Sequence, residues 1–235
     1  EIFAGQSEYS KDTKILILEK NVVILDKIQK LEISSDNITY NRLLEEIKSN
    51  IKTEIKINDS HILLGENVIF LRSKFKIYSE NPTTIKDKYN NIIELNGFNY
   101  SINNKILRTK QMKFIDSESN VYKSNNAIID LNKERIAAKD IQIYFAEGEL
   151  GKNARLKGSS LISENNISVI KNGIFTACKI RDKCPPWSLK SKEIKHDKNK
   201  KSINYKDSWL QLYDVPVFYF PKFFHPDPTV KRQSG

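Results

Sequence analysis

One methionine, two cysteines, two tryptophans and three histidines are spread over 235 residues, and no apolar run approaches the roughly 20 residues of a membrane helix. A bilayer-spanning helix is therefore excluded. The three histidines, His61, His196 and His225, sit in no recognisable catalytic motif. His196 and Asp197 are adjacent, so on a strand they would point to opposite faces. There is no P-loop, no Gly-x-Ser-x-Gly elbow and no metalloprotease helix. The chain is thus not expected to be an enzyme or to hold a cofactor or metal, a glycosidase carboxylate pair hidden among its 29 acids being the catalytic arrangement left open. Helical periodicity is nearly absent as well.

What is present is ordinary for a folded soluble protein: 39% hydrophobic and 29% charged residues. Net charge is +10, which suits a polyanionic partner such as nucleic acid, an acidic membrane surface or a phosphorylated glycolipid. Tyr205, Lys206, Trp209 and Tyr213 interleave bases with aromatics, but residues 203–220 read more simply as two hydrophobic strands joined at Asp214-Val215-Pro216, so nucleic acid is not expected. The dense lysine cluster at residues 190–201 reads as a solvated hairpin tip. The chain starts at Glu1 without a basic-then-apolar leader, which reads as a mature processed chain or an excised fragment, and its last residues favour a fragment.

Apolar residues alternate through Leu31-Glu32-Ile33, Ile38-Thr39-Tyr40, Glu54-Ile55-Lys56-Ile57 and Ile141-Gln142-Ile143-Tyr144-Phe145. Period two gives each strand one wet and one dry face. Breaks at Ser34-Ser35-Asp36-Asn37, residues 86–91 and Asn103-Asn104-Lys105 are rich in Asn, Asp and Ser, which favour turns. An internal repeat is also visible: Glu19-Lys20-Asn21-Val22-Val23-Ile24-Leu25 is echoed by Gly65-Glu66-Asn67-Val68-Ile69-Phe70-Leu71 and more faintly by Leu95-Asn96-Gly97-Phe98. Restated strand-and-turn units imply stacked layers, as in a jelly roll or a parallel β-helix.

Residues 173–235 differ from the rest, holding both cysteines, both tryptophans and six of the seven prolines. Val217-Phe218-Tyr219-Phe220 is too aromatic for a water-facing strand and predicts a buried closing strand. Prolines 216, 221, 226 and 228 would stop it from joining a ladder and make the residues beyond it a rigid tether. Cys178 and Cys184 could close a local disulfide, worth about 2.4 kcal/mol for a loop of about seven residues on the chain-entropy model. Alternatively, with His196, they offer three ligands to zinc, at a spacing that matches no standard finger.

The strand-turn units from Leu16 to Tyr40 resemble the OstA-type β-jellyroll of lipopolysaccharide transport. Phe175-Thr176-Ala177-Cys178, Cys184-Pro185-Pro186-Trp187-Ser188-Leu189-Lys190, Ile194-Lys195-His196-Asp197, Val215-Pro216-Val217-Phe218-Tyr219-Phe220-Pro221 and the run from His225 through Lys231-Arg232-Gln233-Ser234-Gly235 together resemble the periplasmic domain of the LptD (OstA) family of LPS-assembly proteins, in its alphaproteobacterial form. The resemblance implies an all-β, open antiparallel jellyroll with few or no helices, with jellyroll repeats over residues 1–172 and C-terminal strands plus a Pro-rich tether over 173–235. It further implies a periplasmic location as part of an outer-membrane protein, and four partners: lipopolysaccharide, an LptA-like bridge protein, the parent protein's own C-terminal barrel and an LptE-like lipoprotein. It also adds a third reading of the cysteines, pairing with cysteines of that barrel. Either disulfide reading requires an oxidising compartment. A free-standing LptA- or LptC-like bridge and a polysaccharide-binding β-helix or sandwich are the alternatives.

Exposing an acyl chain of about 14 carbons to water costs on the order of 11 kcal/mol, at roughly 0.8 kcal/mol per methylene. A lipid crossing an aqueous compartment therefore needs continuous shelter. The candidate trough residues are Leu16, Leu18, Val22, Ile24, Leu31, Ile33, Ile38, Tyr40, Leu64, Val68, Phe70, Phe75, Ile77, Phe98, Tyr100, Phe114, Ile129, Leu131, Ile141 and Ile143. Alternating apolar residues in a β fold otherwise form an ordinary dry core. The first strong strand, Ile15-Leu16-Ile17-Leu18, is the expected edge for strand addition by the bridge protein.

Overall fold

The computed structural model describes residues 1–58, 60–146, 153–179 and 185–230. It forms two compact units, Glu1–Met112 and Lys113–Gly235. The boundary expected at 172/173 falls inside a strand instead. Among the described residues there is no α-helix, only one 3-10 turn at Arg72–Lys74. Every registered strand pairing is antiparallel, as the all-β reading expects, and this excludes the parallel β-helix.

In the first unit, β1 (Ile2–Phe3) and β2 (Gln6–Ser10) lie end to end along β3 (Ile15–Asp26), which pairs on its other side with β4 (Leu31–Asn41). The two ends of β4 then pair separately with β5 (Glu46–Ser49) and β6 (Thr53–Ile57). These continue into β8 (Val68–Leu71) and β7 (His61–Gly65), and both reconverge on β9 (Lys76–Asp87). β10 (Ile92–Ser101) and β11 (Ile106–Thr109) come next, and β12 (Met112–Ile115) begins at the unit boundary. Each layer is thus one long strand, or two short ones, bent at its middle, so the layers build two leaves that share a corner.

The corner has a backbone cause. Register slips between Glu19 and Val22 where Lys20 and Asn21 take left-handed conformations, and between Asn96 and Phe98 where Gly97 does (φ 73°). Asn67 bends the β7–β8 layer in the same way. Asn and Gly tolerate that region best, and the unpaired extra residue of a bulge turns the strand. The internal repeat is therefore the corner, restated once per layer. Ser34-Ser35-Asp36-Asn37, expected as a turn, is such a corner inside the continuous strand β4.

The second unit repeats the design with β13 (Val121–Ser124), β14 (Asn126–Asp130), β15 (Arg135–Tyr144), β16 (Arg155–Glu164), β17 (Ile167–Thr176), β18 (Trp187–Asp197), β19 (Ser202–Leu212) and β20 (Val215–Pro226). Its corners lie at Asp140, Asn172 and Asp207, all left-handed. Opposite Asp207, between the pairs Lys206↔Lys222 and Ser208↔Phe220, stands Pro221. The prolines do not stop β20 from pairing: it runs along the whole of β19, because an edge strand and a corner are where a missing N–H is tolerated. The lysine-rich residues 190–201 are mostly strand β18, with only the turn after Asp197 as a tip.

The inner angle of the corner admits only small side chains. A Cβ on Gly158 would stand 2.2 Å from Ile170 Cγ2, and one on Gly65 would stand 2.8 Å from Thr83 Oγ1. Hydroxyls fill the remaining positions and cap carbonyls freed where the ladder breaks: Ser79 Oγ donates to Glu66 O (2.6 Å), Thr109 Oγ1 to Gly97 O (2.8 Å) and Thr53 Oγ1 to Ile51 O (2.9 Å). Overpacking this angle should be costly. Gly158→Ala is expected to lose about 1–3 kcal/mol, read from the urea midpoint at unchanged slope; a variant as stable as the parent would show that the angle is not tight.

Candidate lipid-sheltering faces

Each leaf buries its inner side chains. In the first unit Leu18, Val22, Ile24, Leu31, Ile33, Ile38, Val68, Phe70, Ile77, Phe98 and Tyr100 are all buried, and in the second Ile129, Leu131, Ile141 and Ile143 are too. Val22, Ile38, Ile77 and Ile143 have 0% exposure. The structure thus brings most of the candidate residues onto inner faces, and those faces are closed to water. Burial of side chains this size is worth roughly 1.5–3 kcal/mol each.

Some candidates lie elsewhere. Leu64 faces outward, because alternation in β7 turns His61, Leu63 and Gly65 inward. Phe75, 43% exposed, caps the 3-10 turn in a left-handed conformation instead of entering a strand. Leu16 and Tyr40 are half-buried, and the Arg72 guanidinium covers the Tyr40 ring and donates to its hydroxyl at 2.9 Å. Phe114 is half-buried against Tyr122. The candidate trough residues leave out Ile55, Ile57, Leu63, Ile85, Leu107, Leu156, Ile170, Phe175, Ile194 and Ile203, all at most 1% exposed. The Ile-x-Ile text of β6 carried that signal for the first two.

The edges also differ from expectation. Ile15-Leu16-Ile17-Leu18 is not an edge, since β2 and β4 cover both its sides. The described N-terminal edge is β1 and β2, whose residues are all exposed. Gln6-Ser7-Glu8-Tyr9-Ser10 has no alternating apolar pattern to mark it as a strand. In the second unit β20 is an exposed edge strand and not a buried closing one: Val215, Val217, Phe218, Tyr219 and Phe224 are all exposed. It lies against β19 alone among the described residues, with no layer covering its far side.

A polar cluster interrupts the second unit's apolar interior. His196 Nε2 donates to Asp227 Oδ2, and Asp227 Oδ1 accepts from Thr229 N (2.8 Å) and Thr229 Oγ1 (2.7 Å). Burial alone would push the Asp227 carboxyl up, but the bonds from His196 and Thr229 outweigh it and bring it down to about 2. Tyr205, pushed well up by burial and then by Asp227, shares a hydrogen bond of 2.7 Å with His225 Nε2. Burial lowers His225. Asp116 accepts from Lys198 Nζ (2.5 Å), Asn120 Nδ2 (3.0 Å) and Tyr122 Oη (3.3 Å). Nothing in the sequence linked Asp116 to Lys198, 82 residues away.

Among the described residues no group of three or more His, Cys, Asp or Glu is disposed to hold a metal. Cys178 Sγ lies 3.6 Å from the Trp187 carbonyl. Cys184, and with it the local disulfide and the zinc set, lies outside the described residues, as do residues 231–235. No described helix is long and apolar enough to cross a membrane.

No family model matches the chain. Among curated proteins it is 25% identical over 130 residues to the LPS-assembly protein LptD of Escherichia coli K12, and equally to that of Salmonella typhimurium. The chain is similar to LptD. The resemblance read from the sequence is borne out by this match, which covers 53% of the chain and spans 16% of the LptD length. Among solved structures, LptH from Pseudomonas aeruginosa, the LptA-homologous periplasmic component of a lipopolysaccharide transport device, is 12% identical with a TM-score of 0.27, covering 59% of this chain and 80% of that one.

The depressed Asp227 carboxyl fixes a pH dependence. Its folded value of about 2 lies below the ordinary 3.8, so its stabilisation is complete above the ordinary value and is lost as pH falls through about 2. Asp227→Asn is expected to destabilise at neutral pH and to flatten the stability curve across that acid window. Parallel curves for parent and variant, from chemical unfolding at stepped pH, would contradict the assignment.

Proposed function

We propose that this chain is a periplasmic lipopolysaccharide-transport module of an LptD-like protein, sheltering acyl chains between the inner faces of its two leaves. The observation that carries the reading is the apolar lining of each unit's inner faces, aliphatic in the first and mixed with rings in the second, taken with the similarity to LptD. Since these faces exclude water as they stand, an acyl chain enters by displacing contacts between leaves. Methylenes then replace methylenes, and little apolar surface is exposed on the way. The +10 charge suits phosphorylated headgroups held outside.

In this reading the N-terminal edge, β1 and β2, accepts a strand from an LptA-like bridge protein. The exposed β20 end faces the barrel of the parent protein and its LptE-like lipoprotein. The role is transport and not catalysis. Paired or local disulfides at Cys178 and Cys184 fit the oxidising periplasm.

A second reading, saccharide binding, draws on Trp209 and Tyr219, both exposed with ring centroids 5.2 Å apart, and on Asp207, which accepts from Tyr219 Oη at 3.0 Å. Photo-crosslinkers at Phe70, Tyr100 and Ile141 separate the two. The conduit requires adducts to lipopolysaccharide that persist when Trp209 is changed to Ala; crosslinks confined to the protein would return these faces to an ordinary packed core.

A further inference from the structure

In the second unit the two leaves run from the Asp140–Asn172–Asp207 corner to two rims, which the polar cluster joins. One rim carries the Asp116–Asn120 turn that leads into β13, and Phe145 at the end of β15; the other carries His196 and the Lys198 turn between β18 and β19. Across the gap, Lys198 Nζ bonds Asp116 Oδ2 at 2.5 Å and lies 5.3 Å from the centre of the Tyr122 ring. The Phe145 ring packs edge-on against the His196 ring at 5.4 Å. Deeper in, Phe175 of one leaf meets Tyr205 and His225 of the other, at 6.1 and 5.0 Å.

These contacts are built from both sides. The Asp116 carboxylate is pre-set by its own turn, accepting from the Glu118 and Asn120 backbone N–H groups at 3.1 and 2.8 Å, and Asn120 is held in turn by Ala146 N at 2.9 Å. On the facing rim His196 is tied by Asp227, whose N–H bonds the Lys201 carbonyl at 2.9 Å, so the Lys198–Lys201 turn is braced by the segment after β20. The Asp116 side chain is 3% exposed and the Lys198 side chain 19%. At that burial an ion pair is directional and hard to replace with water, and loss of one partner leaves the other poorly solvated.

We propose that Asp116–Lys198, with Phe145–His196 behind it, is a clasp that closes the lateral opening between the two leaves of the second unit and must part for an acyl chain to lie there. This rests on the lipid-conduit reading. Aliphatic contacts between leaves are exchanged for lipid at little cost, whereas the clasp resists until its charges separate, so it sets how readily the second unit fills.

The test is a pair of spin labels at the exposed rim positions Glu118 and Lys200, with distances measured by pulsed dipolar spectroscopy in the full chain without lipid. Lys198→Glu sets two carboxylates face to face and is expected to lengthen and broaden the distribution, while Lys198→Met, which keeps the stem, shifts it less. The same narrow distribution in all three proteins overturns the clasp. Retained far-ultraviolet circular dichroism shows that the variants fold, and if Lys198→Glu fails this check, Lys198→Met alone decides. In parallel, photo-crosslinkers at Phe70 and Phe175 are compared with purified lipopolysaccharide. Lys198→Glu is expected to raise the Phe175 adduct severalfold relative to Phe70. An unchanged ratio with strong Phe70 adducts overturns the clasp while the conduit stands; absence of adducts at Phe70 sinks the conduit and the gating role with it.

Discussion

The constraint on which the rest depends is the corner. A strand that bends by a bulge at its middle gives up ladder hydrogen bonds there, and those backbone groups must be satisfied inside a tight angle. Left-handed residues such as Asn21, Asn67, Asn172 and Asp207 make the bend, and Ser35, Ser49, Thr53, Ser79, Thr83 and Thr109 bring hydroxyls to the inner angle. Ser35 and Ser49 share a hydrogen bond of 2.9 Å, and the Ser49 and Thr53 hydroxyls share one of 2.8 Å, so this polar seam is bonded within itself as well as to the main chain. With the seam satisfied, the remaining inner positions are free to be uniformly aliphatic.

Much of this was legible. Period two marks the inner faces at Ile33, Ile77 and Ile143, and the Asn/Gly repeat falls on the corners, although it reads in the sequence as a set of turns. The failures at the two edges share a cause. Edge strands have no dry face, so β2 carries no strand signal, and the apolar text of β20 reads as buried because nothing in a sequence says that no further layer covers it. Leu64 and Phe75 failed through phase: one residue of offset, or one left-handed turn, moves a side chain to the other face. The boundary expected at 172/173 came from a change in composition, which tracks sequence texture and not where contacts thin out. The Asp116–Lys198 and His196–Asp227 pairs join turns far apart in sequence and carry no periodic signal.

The two units solve the same packing problem with different chemistry. The inner faces of the first, as far as Met112, are almost wholly aliphatic, with Phe70, Phe98 and Tyr100 as the bulky exceptions. The second replaces aliphatics with rings at Tyr122, Phe145, Phe175 and Tyr205 and adds buried charge beside them. Outer-face ion pairs such as Lys171–Glu193 and Lys56–Glu32 are solvent-exposed and contribute little to either unit's stability.

The uncovered aromatic margin along β20 bears on how the isolated polypeptide behaves. The free side of β20, flanked by Phe218, Tyr219 and Phe224 and interrupted by Pro216, Pro221 and Pro226, forms a sticky margin, unlike the polar margin at β2, where Gln6, Ser7 and Glu8 discourage adhesion. The two margins differ in colloidal temperament: that of β2 tolerates crowding, and that of β20 invites company as concentration rises.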